Sequence, residues 1–465
     1  MRRRLFIFGL DAGAPDLIFN KFIDYLPNFK KVIGKGVYGR LRSCDPPITV
    51  PAWMVMMTGR EPGELGLYGF RHRKEYSYSE ISIPNSGSIR YPRIWDILGG
   101  EGFKTFVLGV PPSYPPYKVN GWLIGCFLTP DDRVRYTYPL TLKYEVNKIV
   151  DKYIFDVPFR RDDRDWVLDK IHEMTNIHFK VVDYMMTSKN WDFFMYMEIG
   201  LDRIQHAFWK YMDLGHRRYE YHERYSKAIL EYYIELDQFL GKIIGDAGAS
   251  DILIVSDHGA KKMDGAFAVN QWLIDKGYLK LKGDVKPGSR LSQVDIDWGD
   301  SIAWGWGGYY GRIFLNIEGR EEKGVISPND YEYYLNKLSS EIKSIRGPSG
   351  ESWRNLVYKP SDLYHVVNGS PPDLMVYFDD LNWRSAGTVG YETPYLEEND
   401  TGPDDAVHDY DGVFIWYSAD GRLNNSIELD DISIYDVYPT ILRYYGLEAE
   451  EAIGTPIEEV LVGIK

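Results

Sequence analysis

Four short apolar runs constrain this chain more than any other feature: Leu5 to Leu10, Thr105 to Val110, Phe193 to Met197, and Ile252 to Val255. None alternates with polar residues, and each ends in polar or glycine-rich sequence. A strand with one wet face alternates, whereas a strand buried on both faces is apolar throughout. These runs are therefore predicted strands covered on both sides, with short buried helices the alternative that periodicity alone leaves open. Helical patterns lie between them. The clearest predicts a helix over Tyr219 to Ile244, where Tyr225, Ile229, Tyr232, Leu236, Leu240 and Ile243 return at three- and four-residue steps. Strands alternating with helices predict an α/β fold around a mainly parallel sheet.

A chain of 465 residues has room for two or three compact units. From about Gly265 to Gly402 the sequence changes style. Gly, Pro, Tyr and Trp become frequent, as in Trp304-Gly305-Trp306-Gly307-Gly308-Tyr309-Tyr310-Gly311, with a strand predicted over Arg312 to Ile317. The expected division is a first part of the core at 1–264, an insertion or lid at 265–402, and a second part of the core at 403–465. In that last part Val413 to Trp416 reads as a strand and Ser433 to Tyr445 as a helix. The aromatic cluster Trp304, Trp306, Tyr309 and Tyr310 either packs a glycine-rich hairpin, the favoured reading, or stacks on a nucleobase.

The net charge of −14 argues against a nucleic-acid-coating role, because such binding rests on Lys/Arg neutralisation of phosphates. No stable nucleic-acid complex is expected. A phosphorylated substrate is still allowed, since bound cations reverse a local field. Asp11 interrupts the apolar run behind Arg2, Arg3 and Arg4, so that stretch reads as a strand and not a signal peptide. No apolar stretch approaches the ~18–20 residues needed to cross a bilayer. Two cysteines, Cys44 and Cys126, make no disulfide scaffold, and a cytoplasmic location is expected.

In a parallel sheet the ligand site lies beyond the carboxyl ends of the strands. Asp11 follows the first run, Asp202 the third, and Asp257-His258 the fourth. Each has a plainer reading when taken alone. Asp11 suits a turn or helix cap; Asp202 and His206, four apart, suit a surface polar pair; His408 says little. Asp257-His258 is more specific, because a buried strand end has little other reason to carry a charge beside an imidazole. Together they suffice for two adjacent divalent cations, and mixed imidazole and carboxylate ligation suits Zn²⁺, with Mn²⁺ as the other candidate. Thr49, just before Pro51, suits a helix N-cap. It also suits a nucleophile, since a hydroxyl becomes competent when a divalent cation stabilises its alkoxide.

At this point the residues resemble a family. Gly9-Leu10-Asp11, the block from Thr49-Val50-Pro51-Ala52-Trp53 to Thr58-Gly59, Asp202 through His206-Ala207-Phe208-Trp209, Ser256-Asp257-His258-Gly259, and His408 ahead of Gly412-Val413-Phe414-Ile415 are similar, in order, to motifs of the type I phosphodiesterase/nucleotide pyrophosphatase branch of the alkaline-phosphatase superfamily. The resemblance implies a doubly wound sheet with helices on both faces. It implies one cation at Asp11, Thr49, Asp257 and His258, and another at Asp202, His206 and His408. It also implies hydrolysis of a phosphodiester or pyrophosphate in a small phosphorylated substrate, a nucleotide among the candidates, through a phospho-threonine on Thr49. This chain has Leu65 where the family commonly carries a histidine before Gly66. Cys44-Asp45-Pro46-Pro47-Ile48 ends in Ile where a sulfatase needs Arg. The alternatives are a phosphomonoesterase or phosphomutase of the same superfamily, and a non-catalytic, metal-stabilised binding protein.

Overall fold

The computed structural model describes residues 3–249 and 251–464, so Arg2 of the basic stretch lies outside the described residues. Nine strands, numbered along the chain, form the principal sheet: β1 (Leu5–Leu10), β2 (Gly36–Arg42), β3 (Thr105–Leu108), β4 (Gly121–Ile124), β5 (Thr137–Tyr138), β6 (Phe193–Glu198), β7 (Asp251–Val255), β8 (Asp411–Ser418) and β9 (Ile427–Ser433). Their order is β9-β2-β8-β7-β1-β6-β3-β4-β5. β8 runs against β2 and β7, and β5 against β4, while the other neighbours are parallel. All four apolar runs are strands of this sheet.

Every residue of β1, β6 and β7 is buried. Successive side chains point to opposite faces, so complete burial means that both faces are covered. Aromatic contacts help to hold the strands together: Phe6 stacks on Phe194 at 4.7 Å between ring centres, and Phe194 on Phe106 at 4.3 Å. Around the sheet, helices Pro27–Gly34, Arg164–Ser188, Gly200–Met212 and Ala228–Asp246 pack on one another, and Thr49–Thr58 packs on Ile434–Tyr444. One cap is supplied across the fold. Pro27–Gly34 has no side-chain cap of its own, and Asp237 accepts the backbone N–H groups of Asn28 and Phe29.

The helix predicted from Tyr219 begins only at Ala228, after a short 3₁₀ turn over Tyr225–Lys227. Residues 219–224 are all exposed. With no surface to bury against, that segment gains nothing from helix formation. Within residues 265–402, strands Ala303–Trp306, Gly311–Leu315, Leu374–Tyr377 and Leu356–Tyr358 form an antiparallel sheet in that order. Phe267, Trp304, Phe314, Val376 and Trp383 belong to a hydrophobic cluster of their own there. Trp304 lies 5.2 Å from the Tyr78 ring and 5.1 Å from Trp298, and Tyr310 donates its hydroxyl to the Tyr68 carbonyl at 2.5 Å, so both pack the fold. Among the described residues no helix is long and apolar enough to cross a membrane.

Candidate metal centre

Parallel strands deliver their carboxyl ends to one edge of the sheet. Asp11 is the residue after β1, and Asp257 stands two residues beyond β7. The helix Gly200–Met212 begins just after β6 and puts Asp202 and His206 one turn apart on the same face. His408 arrives differently. β8 runs against its neighbours, so it starts where they end, and the short strand Ala406–Asp409 just before it pairs with Gly259–Lys262, setting His408 opposite Ala260.

Thr49 is the first residue of the helix Thr49–Thr58; Ile48 stands at the N-cap and offers no side-chain cap. The threonine hydroxyl therefore does not cap the helix. Its Oγ1 lies 3.3 Å from His258 Nε2 and 3.4 Å from Asp11 Oδ1. One turn on, Trp53 faces the same carboxylate and donates Nε1–H to Asp11 Oδ2 at 2.8 Å. Gly9 makes this approach possible, because a Cβ there would come 2.7 Å from the Trp53 ring.

The three histidines share one arrangement. His258 Nδ1 donates to the Gly259 carbonyl at 2.9 Å, His408 Nδ1 to the Pro47 carbonyl at 2.8 Å, and His206 Nδ1 lies 3.0 Å from the Ala406 carbonyl and 2.7 Å from Asp404 Oδ1. A carbonyl only accepts, so each Nδ1 carries hydrogen and each Nε2 of the neutral ring keeps its lone pair toward the site. His206 Nε2 is 3.1 Å from Asp202 Oδ1, His408 Nε2 is 3.7 Å from the same oxygen, and His258 Nε2 is 3.2 Å from Asp257 Oδ2 and 3.8 Å from Asp11 Oδ1. The His258 and His408 rings stack at 3.8 Å.

Ligand atoms of Asp202, His206 and His408 lie within 4.8 Å of one another, and so do those of Asp11, Asp202 and His258. Asp202 falls in both groups, whereas Asp257 stands beside His258. Asp202 Oδ1, His206 Nε2, His408 Nε2 and Asp257 Oδ2 are buried without a hydrogen-bond partner. An unanswered buried polar atom costs about 1–3 kcal/mol. Three of them, on Asp202, His206 and His408, converge within 4.8 Å, and the fourth, Asp257 Oδ2, lies beside His258 Nε2; carboxylate oxygens and imidazole nitrogens as the donor set fit divalent cations.

Charge points the same way. Burial and the Asp202 carboxylate push Asp11 well above the usual carboxylate range, and burial and Asp11 do the same to Asp257. Burial would also raise Asp202, yet His206, Arg203 and His408 hold it well below that range. Burial lowers His258 to about 4, and burial together with His258 lowers His408. Against burial, Tyr309, Asp404 and Asp202 lift His206 well above its ordinary value. Three carboxylates packed this closely repel one another, and cations relieve that repulsion.

Several residues here carry no motif. Arg203 donates to Asp202 at 2.5 Å and is itself held by Asp156 at 2.7 and 3.0 Å. Tyr309 stacks on His408 at 3.6 Å, and Phe159 on His206 at 5.3 Å. Tyr309 was legible only as part of an aromatic cluster. Asp404 and Arg203 gave no signal, because a lone charged residue in a linear chain looks like surface. A cleft of about 790 Å³, lined by Trp95, Lys104, Asn120 and Trp122, opens at the amino ends of β3 and β4 and contains none of these groups.

A comparison with curated proteins finds no match. The family model described as type I phosphodiesterase / nucleotide pyrophosphatase matches residues 5–411, from the first residue of β1 to the first residue of β8 and across every group just described. On that match the chain belongs to the type I phosphodiesterase / nucleotide pyrophosphatase family, hydrolases of phosphoric ester bonds.

Proposed function

We propose that this phosphoesterase cleaves phosphodiester or pyrophosphate bonds in a small phosphorylated substrate through a phospho-threonine on Thr49. Two divalent cations, Zn²⁺ or Mn²⁺, belong to this reading, one held by Asp11, Thr49, Asp257 and His258 and the other by Asp202, His206 and His408. The observation that carries it is the Thr49 hydroxyl, turned away from helix capping and set between His258 Nε2 and Asp11 Oδ1. Residues 265–402 are taken as an insertion between core parts 1–264 and 403–465, reaching the site through Tyr309. A cytoplasmic location is favoured by two cysteines that are both buried and free.

When bound, such cations lower the pKa of a hydroxyl or water and neutralise charge on the transferring phosphoryl group. Thr49 Oγ1 gives up its proton and forms its bond to phosphorus as the bond to the departing oxygen breaks, and that oxygen leaves as an anion or takes up a proton from solvent, giving a phospho-threonine and a free leaving group. Asp11, the hydrogen-bond acceptor of that hydroxyl, orients the attacking lone pair, and Trp53 holds Asp11 in place. Water then cleaves the Oγ1–P bond and restores the hydroxyl. Each displacement is in line, so two inversions leave net retention at phosphorus.

The test compares a chromogenic phosphodiester with the matching monoester before and after chelation. Hydrolysis should vanish on chelation, return with Zn²⁺ or Mn²⁺, and favour the diester. Thr49→Ala should keep its circular dichroism and lose roughly 10³-fold or more in kcat. A faster monoester rate overturns the diester preference, and unchanged hydrolysis by Thr49→Ala overturns the nucleophile.

A further inference from the structure

We propose that Asp404 is a positioning residue that ties His206 to the groups covering the site, so that the imidazole-rich cation pocket and its cover form as one unit; this rests on the two-cation reading above. Asp404 is fully buried. Its carboxylate gathers three nitrogen donors from three separate parts of the chain. His206 Nδ1 lies 2.7 Å from Oδ1, while Arg160 Nε at 2.9 Å and Arg384 Nη1 at 2.8 Å donate to Oδ2. Charge-assisted bonds of this kind are short and directional, so the three donors are fixed relative to one another.

Satisfying the His206 N–H does not by itself explain Asp404, because the Ala406 carbonyl lies 3.0 Å from the same nitrogen. Two things are added by the carboxylate. Its charge makes the imidazole more basic at Nε2, the atom facing Asp202 and His408. It also closes a circuit. From Asp404 the Arg160 guanidinium reaches the Tyr309 hydroxyl at 3.0 Å, and Arg384 lies over the Tyr309 ring at 4.4 Å. Tyr309 in turn stacks on His408. His206 and His408, one cation's two imidazoles, are thus joined through Asp404, two arginines and a tyrosine. Those partners come from the segment ahead of helix Arg164–Ser188, from strand Trp383–Ala386 and from the turn between Trp306 and Gly311.

A buried ion-pair cluster that serves stability alone is the competing explanation, and cation affinity separates the two. Asp404→Asn keeps the size of the side chain and an acceptor for His206 but loses the charge. Zn²⁺ affinity is read by competition with a chromogenic chelator, and ligand geometry from the visible bands of the Co²⁺-loaded protein. One of the two ions should bind about 10–100-fold more weakly, with altered Co²⁺ bands, and the other should bind as before. Lower thermal stability with both affinities and the Co²⁺ spectrum unchanged overturns the proposal.

Arg160→Gln provides a second arm, because its side chain is 26% exposed whereas that of Asp404 is fully buried. It should weaken the same ion by about 3–10-fold and add little on top of Asp404→Asn. If Asp404→Asn does not fold, unchanged Zn²⁺ affinity in Arg160→Gln overturns the coupling. A wild-type chain that binds no divalent ion overturns the two-cation reading itself, and this proposal with it. That result is distinct from a wild type binding two ions and variants binding them equally well.

Discussion

The Thr49 helix shows how one residue's role is set by its neighbours. Threonine before Pro51 is an ordinary capping sequence, and only the position of Asp11 and His258 turns the hydroxyl from the helix end to a carboxylate and an imidazole. Trp53 adds the next layer. Its indole N–H is the hydrogen-bond partner of Asp11 Oδ2, buried with the ring. Trp53→Phe keeps an aromatic ring and removes that donor. Zn²⁺ binding at the Asp11 side should weaken by about 10-fold while the His206 side is unaffected. Equal affinity in both proteins, measured by chelator competition, would mean that Trp53 only fills space. The carboxylates and histidines themselves were legible as residue types near predicted strand ends. Their division between two cations came from the family resemblance and not from spacing, and Asp202 lies within reach of ligand atoms from both groups.

Strands and helices carry those residues to one place, and the joint between β6 and the helix Gly200–Met212 is tightly packed. Glu198, the last residue of β6, accepts the Gly200 N–H at 2.7 Å and is paired with His178 at 3.1 Å. A Cβ at Gly200 would meet the Tyr232 hydroxyl at 2.2 Å, Glu198 at 2.7 Å and Thr175 at 2.8 Å. Gly200→Ala should therefore shift the first helical turn and destabilise the chain by about 1–3 kcal/mol, as overpacking commonly does. A lowered urea midpoint at constant m-value checks this, and an unchanged midpoint argues against it. At this scale the apolar runs were legible, since complete burial on two faces removes polar residues from a strand. The start of the helix at Ala228 was not, because period alone cannot tell whether a surface is available to cover the pattern.

Over the whole molecule, the centre links folding, pH and cations. Asp11, Asp257 and His206 all have raised values in the metal-free chain, burial and a neighbouring carboxylate raising the two acids and Tyr309, Asp404 and Asp202 outweighing burial at the histidine. A group raised on folding binds more protons folded than unfolded, so its stabilisation is present at low pH and fades as pH rises through the folded value. His258, at about 4, and His408, also lowered, act oppositely, adding stability as pH climbs toward about 6.5. Above that range these two are neutral in both states and the raised groups alone remain. From about pH 6.5 upward the chelated protein should lose thermal stability as the raised groups release their protons, whereas bound cations already favour ionised carboxylates and neutral imidazoles. The difference in Tm between loaded and chelated protein should widen over that span, and a narrowing difference would contradict it.

The linear chain carried its own evidence for an α/β core, because burial on two faces leaves a local apolar signature, and for a centre of Asp and His, because charged residues at buried strand ends have few other uses. Folding in three dimensions decided which groups meet. The reversed direction of β8 brings His408 to the edge where its neighbours end, and the partners of Asp404 come from residues 160, 206 and 384. Hydrophobic patterning is local and can be read along the backbone. Strand direction and the convergence of distant side chains are consequences of packing, and no short stretch of residues encodes them.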